Sequence, residues 1–417
     1  MRVTRLKLAN LRAIDAAEFR FQPGFNLVVG VNGVGKTSLL DALCVSLSAI
    51  VRHSNQLRTP GGAFAVEDIR VGADALTVEC GVTIGATEHS YLIHKPRETS
   101  AVREDKSGMP REQVHDTPEK ASFIGALPVP ANGKESVGRP LAVLFSTSRA
   151  VASERTPSKS VAAGGVAAGF ADALTSRELR LGEFTAWMRV QEALRVEDAS
   201  AGRVLSAFES AVVRFLPGYA NMRVDADVRT RLLIDRGGTT VSVRQLSDGE
   251  RGTLALVLDL TRRLSQANPA MTDPAAESEA VVLIDEIDLH LHPKWQRQIV
   301  HNLIAAFPCC QFIATTHSPQ VIGEVEHDRV QVIANGQVYS PPYSFGMDSS
   351  QILEEIMEVD PRTKEINELL ATISAQIGEQ QFLSARGSLT NLVESLGEDD
   401  PEVTRLRTLL DFVEGKE

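Results

Sequence analysis

The sequence predicts an α/β fold organised around parallel strands, and three observations carry that prediction. The apolar run Phe25–Val29 leads into Gly30-Val31-Asn32-Gly33-Val34-Gly35-Lys36-Thr37, and then into a helical stretch opened by Ser38-Leu39-Leu40. A second apolar run, Ala280–Ile284, ends in the acids Asp285-Glu286. A third, Cys310–Thr315, ends beside Thr316-His317, with a helical stretch from Pro293 to about Ala306 between the two. Strands alternating with helices in this way build a parallel sheet.

Taken in order, residues 2–30 read as an antiparallel pair, Val3–Leu8 and Ala17–Phe21, followed by the strand before the glycine-rich turn. A helix is expected from Thr37 to about Arg52. Alternation at Leu76, Val78, Cys80, Val82, Tyr91 and Ile93 predicts further antiparallel strands. Residues 97–138 are rich in charge, Pro, Gly and Ser and read as an exposed, partly disordered insertion. Leu141–Phe145 is a strand ending at Ser146–Arg149, and 151–170 reads as a small-residue loop. Helices should fill 171–216. A hairpin follows, with Arg231–Asp235 and Thr240–Val243 joined through Gly237-Gly238. A helix runs from Asp248 to about Gln266. The first domain is expected to cover 1–347, and 348–417 should be a helical tail. Asp360-Pro361 and Asp400-Pro401 look like helix starts with an N-cap and a first-turn proline. The tail's apolar stripes could pack on the first domain or bind a partner.

Composition bounds the function. The 417 residues are 43% hydrophobic and 23% charged, as in a soluble globular protein. No run approaches the ~18 apolar residues of a membrane span. The N-terminus lacks the apolar block of a signal peptide, so a cytoplasmic location with no membrane contact is expected. A net charge of −11 argues against a protein that coats nucleic acid over most of its surface. The four cysteines form no C-x-x-C pair, and Cys309-Cys310 reads as small core filler.

The octapeptide Gly30–Thr37 fits G-x-x-x-x-G-K-[ST], a phosphate-binding loop between a strand and a helix. Gly33 and Gly35 let the backbone curl so that the amides of Asn32, Gly33, Val34, Gly35, Lys36, Thr37 and Ser38 can face phosphate oxygens. The helix start adds partial positive charge. Lys36 brings a point charge to the β- and γ-phosphates, and Thr37 offers a hydroxyl to Mg²⁺. At the end of the second run, Asp285 is placed to hold Mg²⁺ and Glu286 to orient or deprotonate a water. ATP with Mg²⁺ is therefore the expected ligand. Ser247 and Glu250 can be explained as a capping box, which leaves Gly249 in the first helical turn unexplained.

The segment Gln245-Leu246-Ser247-Asp248-Gly249-Glu250-Arg251 resembles the signature motif of ABC-type ATPases in their SMC/RecF-like branch. That resemblance implies an ABC/SMC-head fold: a mixed sheet with a helical lobe and a helical C-terminal tail. It also implies a head-to-head dimer or higher oligomer, in which Ser247, Gly249 and Glu250 of one copy meet the nucleotide of the other. His317 resembles the switch histidine that senses the γ-phosphate, and Arg12 an arginine near the adenine. Ile287–Pro293 resembles the loop that crosses the dimer interface; read alone, His290-x-His292 with Asp288 could instead hold zinc. Gln56 is available as the glutamine that links ATP to conformational change, although its surroundings match poorly.

More narrowly, Asp285–Gln296, Ser318-Pro319-Gln320, the turn Phe345–Ser350, Arg362 and the tail resemble standalone bacterial ATPases that include the ATPase subunit of Septu-type anti-phage systems. The resemblance implies a separate nuclease partner, often of the HNH type, through which DNA would be reached. The chain shows no HNH-like or TOPRIM segment of its own, and no room for coiled-coil arms. Two alternatives stand: a repair or recombination ATPase acting directly on DNA, and a transporter's energising subunit.

Overall fold

The computed structural model describes residues 1–55, 62–102, 111–115, 118–124, 138–150, 165–179, 181–197, 199–225 and 231–415. Gln56 and most of the expected insertion lie outside them. The chain divides into two compact units, Met1–Ser349 and Ser350–Glu417.

In the first unit, a six-stranded sheet runs edge to edge as Gln337–Tyr339, Val330–Ala334, Phe25–Val29, Gln311–Thr316, Ala280–Ile284 and Leu141–Phe145. All its pairings are parallel except that of Gln337–Tyr339. The three middle strands are buried throughout, as continuous Val/Ile/Leu/Phe runs require when both faces are covered. Parallel pairing puts the carboxyl ends of Val29, Ile284 and Thr316 on one edge. The edge pair Val330–Ala334 and Gln337–Tyr339 has no counterpart in the sequence reading.

An antiparallel sheet carries the N-terminal pair, Arg2–Leu11 with Ile14–Arg20, then Ala75–Ile84, Thr87–Pro96 and Lys120–Ile124. The last strand falls within 97–138 and, Phe123 apart, is exposed. A second hairpin, Glu98–Val102 with Arg111–His115, also falls there.

The helical part is shorter than expected. Residues 171–179 are turns and extended chain, and the helices are Leu181–Leu194 and Ala199–Phe215. Phe184, Trp187 and Phe208 pack as a three-ring cluster with centroids 5.1–5.9 Å apart. The expected hairpin gains a third strand, Tyr219–Asp225. The 293–306 helix is two pieces, Pro293–Gln296 and Ile299–Ala306. Cys310 is core filler, but Cys309 is exposed.

In the second unit, Lys364–Gly378, Phe382–Leu396 and Pro401–Glu414 bury Ile373, Ala385, Leu392 and Leu406 against one another. The apolar stripes therefore cover each other. Asp400 caps its helix through the amide of Glu402 at 2.9 Å. Asp360-Pro361 does not: that helix begins at Lys364 with Thr363 at the cap position. Among the described residues no helix is long and apolar enough to cross a membrane.

Candidate nucleotide site

The buried strand Phe25–Val29 delivers the chain into the glycine-rich loop, and the helix Lys36–Asn55 starts at once. Gly35 has φ +107°, and a Cβ there would lie 2.8 Å from the Ile14 side chain, so conformation and space both require glycine. Lys36 is 7% exposed and donates from Nζ to the carbonyls of Gly30 at 2.6 Å and Val31 at 3.0 Å. Burial pulls its ammonium below the usual lysine range, while Asp285, Glu286 and Asp288 oppose that shift. Asn32, Gly33 and Thr37 are exposed, Val34 is half-buried and Ser38 is buried. Arg12 donates to Asp41 at 2.6 Å and Asp68 at 2.9 Å and reaches the Ser38 hydroxyl at 3.5 Å. It thus flanks the loop on one side.

Ala280–Ile284 brings the acid pair to the same edge. The Thr315 hydroxyl donates to Asp285 Oδ1 at 2.7 Å, leaving Oδ2 3.4 Å from the Thr37 hydroxyl. Two hard oxygen donors facing each other in this way fit Mg²⁺. Glu286 has φ +49°, in the left-handed region. Asp288 accepts from the Thr316 hydroxyl and, at 3.4 Å, from the His317 amide. His292 Nδ1 accepts the Lys294 amide at 3.3 Å. Asp288 and His292 are thus engaged in ordering the loop, which does not favour the zinc alternative.

His317 lies half-buried at the end of Gln311–Thr316. Burial and then Lys36 push its imidazole below 6.5, against the pull of the three carboxylates. The neutral ring is therefore favoured by folding. In the window below pH 6.5, down to the lowered folded value, the unfolded chain binds more protons, so stability falls as pH falls. Thermal melts of His317→Asn between pH 5 and 7 should show a shallower loss on acidification than the parent. Equal slopes would remove His317 as the source.

In the signature segment, Glu250 and Gly249 are engaged within the protomer. Ser247 is exposed at the start of Asp248–Ala267, and it exchanges bonds with Glu250 in a capping box. Glu250, expected at a nucleotide, has its carboxylate committed inside the protomer. It accepts from the Tyr219 hydroxyl at 2.8 Å and the Ser247 hydroxyl at 2.8 Å, and Arg236 stands at 3.3 Å. Burial opposes its charge, yet these partners hold it below the usual carboxylate range. Gly249 is buried, and a Cβ there would lie 2.5 Å from the His290 carbonyl oxygen. Its missing side chain thus lets the loop carrying His290 pack against the start of the helix.

The family described as "AAA domain, putative AbiEii toxin, Type IV TA system" matches residues 127–323, and one described as "AAA domain" matches residues 5–114. The sequence is 37% identical over 210 residues to "Retron Ec83 probable ATPase" of Escherichia coli, covering 49% of this chain and 38% of that protein. It is 44% identical over 77 residues to "Septu protein PtuA" of Bacillus mycoides, covering 18% of this chain and 10% of that one. Over the matched stretches the chain is similar to AAA-type ATPase domains. It spans well under half the length of the curated relatives it matches. Among solved structures, a RecF–ATP structure is similar at TM-score 0.43 and 15% identity, over 81% of this chain and 97% of that one.

Sequence reasoning missed two residues of this site. Thr315 supports both acids, giving its proton to Asp285 and accepting the Glu286 amide at 2.8 Å. Arg149 lies buried behind them. A hydroxyl at a strand end and a lone arginine after another strand are not distinctive by themselves. Only the pairing of the strands brings them to the acids.

Proposed function

We propose that the chain binds ATP with Mg²⁺ and hydrolyses it within a head-to-head pair, or a higher oligomer, of itself. We further propose that the nucleotide state controls a separate nuclease of the HNH type in anti-phage defence. One observation supports the catalytic part. Lys36, Thr37, Asp285, Glu286 and His317 follow three neighbouring parallel strands and stand at one edge of the sheet. Ligands bind at that edge in open α/β sheets.

In this reading the loop amides and Lys36 bind the β- and γ-phosphates. Thr37 and Asp285 hold Mg²⁺, which neutralises charge on the phosphates. Glu286 orients the attacking water and takes its proton. His317 donates toward the γ-phosphate, and Arg12 lies on the adenine side of the loop. Ser247 of the second copy closes the site. Its place at the exposed start of a 20-residue helix supports that role. The defence role draws on the similarity to proteins named as a retron ATPase and a Septu protein. DNA would be reached through the nuclease, in a cytoplasmic complex.

The test is to co-express the chain with the product of its neighbouring gene, then measure complex mass by light scattering and DNA cleavage, with and without ATP. ATP should increase the mass by at least one further protomer and change the cleavage rate. Lys36→Met should abolish both responses. Mass and cleavage that ignore ATP would overturn the regulatory reading.

A further inference from the structure

Arg149 closes the short turn Thr147–Ala150 that follows the strand Leu141–Phe145. Its side chain is 6% exposed. One guanidinium nitrogen donates to the carbonyls of Phe145 at 3.3 Å, Ser146 at 3.0 Å and Asp285, and another donates to the carbonyl of Glu286. Burial lowers its pKa to about 10, and the carboxylates of Asp285, Asp288 and Glu286 work against that shift, so the group remains charged at neutral pH. Among the described residues no carboxylate accepts from it. A buried cation is instead bound to four backbone carbonyls, two of them belonging to the acid pair.

The backbone there is unusual. Glu286 stands at φ +49°, which a residue with a side chain adopts only when its surroundings hold it. Three groups do so. The Thr315 hydroxyl accepts the Glu286 amide at 2.8 Å, the Leu289 amide donates to the Glu286 carbonyl at 2.9 Å, and Arg149 donates to that same carbonyl and to the one before it. A planar, forked donor can bridge the two carbonyls, whereas an ammonium cannot hold the same fixed geometry.

We propose that Arg149 is a positioning residue for hydrolysis: by bridging the Asp285 and Glu286 carbonyls it holds Glu286 in its left-handed conformation and so aims the carboxylate at the attacking water. The inference rests on the reading of Glu286 as the group that activates water. Among the described residues the Arg149 guanidinium donates only to backbone carbonyls and to neither carboxylate of the acid pair, so its removal is expected to act on the rate of turnover and not on nucleotide affinity. A misplacement of about 1 Å at a reacting group costs roughly 100-fold in rate.

The experiment compares Arg149→Lys, Arg149→Met and Glu286→Gln in the full chain. Turnover is read by phosphate release and affinity by titration with a fluorescent ATP analogue. Arg149→Met should lose roughly 100-fold in kcat with affinity within about twofold of the parent, and Arg149→Lys should recover part of that loss. Combining Arg149→Met with Glu286→Gln should cost no more than Glu286→Gln alone, because an absent base cannot be misaimed. Should Arg149→Met fail to fold, the lysine variant and its combination with Glu286→Gln carry the same comparison. Parent-rate turnover in the Arg149 variants, or affinity falling in step with kcat, overturns the positioning role. Parent-rate turnover in Glu286→Gln alone overturns instead the reading on which the inference rests.

Discussion

Glu286→Gln is expected to bind ATP as tightly as the parent, to lose at least about 100-fold in turnover, and to accumulate as a long-lived ATP-bound pair. Glutamine keeps the shape and one hydrogen-bond acceptor of the carboxylate but cannot take a proton near neutral pH. The groups that meet the phosphates are untouched: Lys36 still sits over the loop carbonyls of Gly30 and Val31, and Asp285 still faces Thr37. The left-handed backbone at residue 286 is held through its amide and carbonyl, so the amide side chain should occupy the same place. Phosphate release, nucleotide titration and size-exclusion chromatography with ATP read the three outcomes separately. Parent-rate hydrolysis would move the base elsewhere. Loss of binding would mean that Glu286 helps to hold the nucleotide and not only to break it.

Most of this site could be read from the sequence because its chemistry is local. The loop Gly30–Thr37, the acids after Ala280–Ile284 and the serine before Asp248–Ala267 each sit beside the element that presents them. A strand, a tight turn and a helix start are written in consecutive residues. What stayed hidden depends on chain contacts far apart in sequence. Arg149 reaches carbonyls 136 and 137 residues away. The Glu250 carboxylate accepts from Tyr219, 31 residues earlier, a contact that the local capping spacing does not contain. The strand Tyr219–Asp225 escaped notice because only Tyr219 in it is buried, so its alternation is weak. The tail helices were visible as apolar stripes. That the stripes face one another is a fact of three-helix packing, which one-dimensional periodicity does not contain.

Gly249→Val should destabilise the protein before any nucleotide is added. A Cβ at residue 249 would lie 2.5 Å from the His290 oxygen, 3.3 Å from its carbonyl carbon and 3.3 Å from Leu291 Cδ2. The closest atom is backbone, and His290 itself is held at φ +59°, so the loop has little room to yield. Either the first turn of Asp248–Ala267 or the loop after Glu286 must move. Overpacking of this kind costs about 1–3 kcal/mol. Either displacement also carries Ser247 or the acid pair out of place, so ATP-driven pairing and turnover should fall together. Gly252→Ala is the control. It lies three residues further along the same helix, with nothing within 4 Å of its added Cβ. There alanine should be neutral or stabilising by up to about 1 kcal/mol, since glycine is a poor helix former. Melting curves without nucleotide separate two roles for Gly249. If the glycine served only to admit a phosphate, Gly249→Val would melt like the parent and lose pairing alone. A lowered melting temperature for Gly249→Val beside an unchanged or raised one for Gly252→Ala would show that the signature helix and the loop after the acids are built as one contact. In the proposed head-to-head pair, that contact would join Ser247, facing one nucleotide, to Glu286, facing the other.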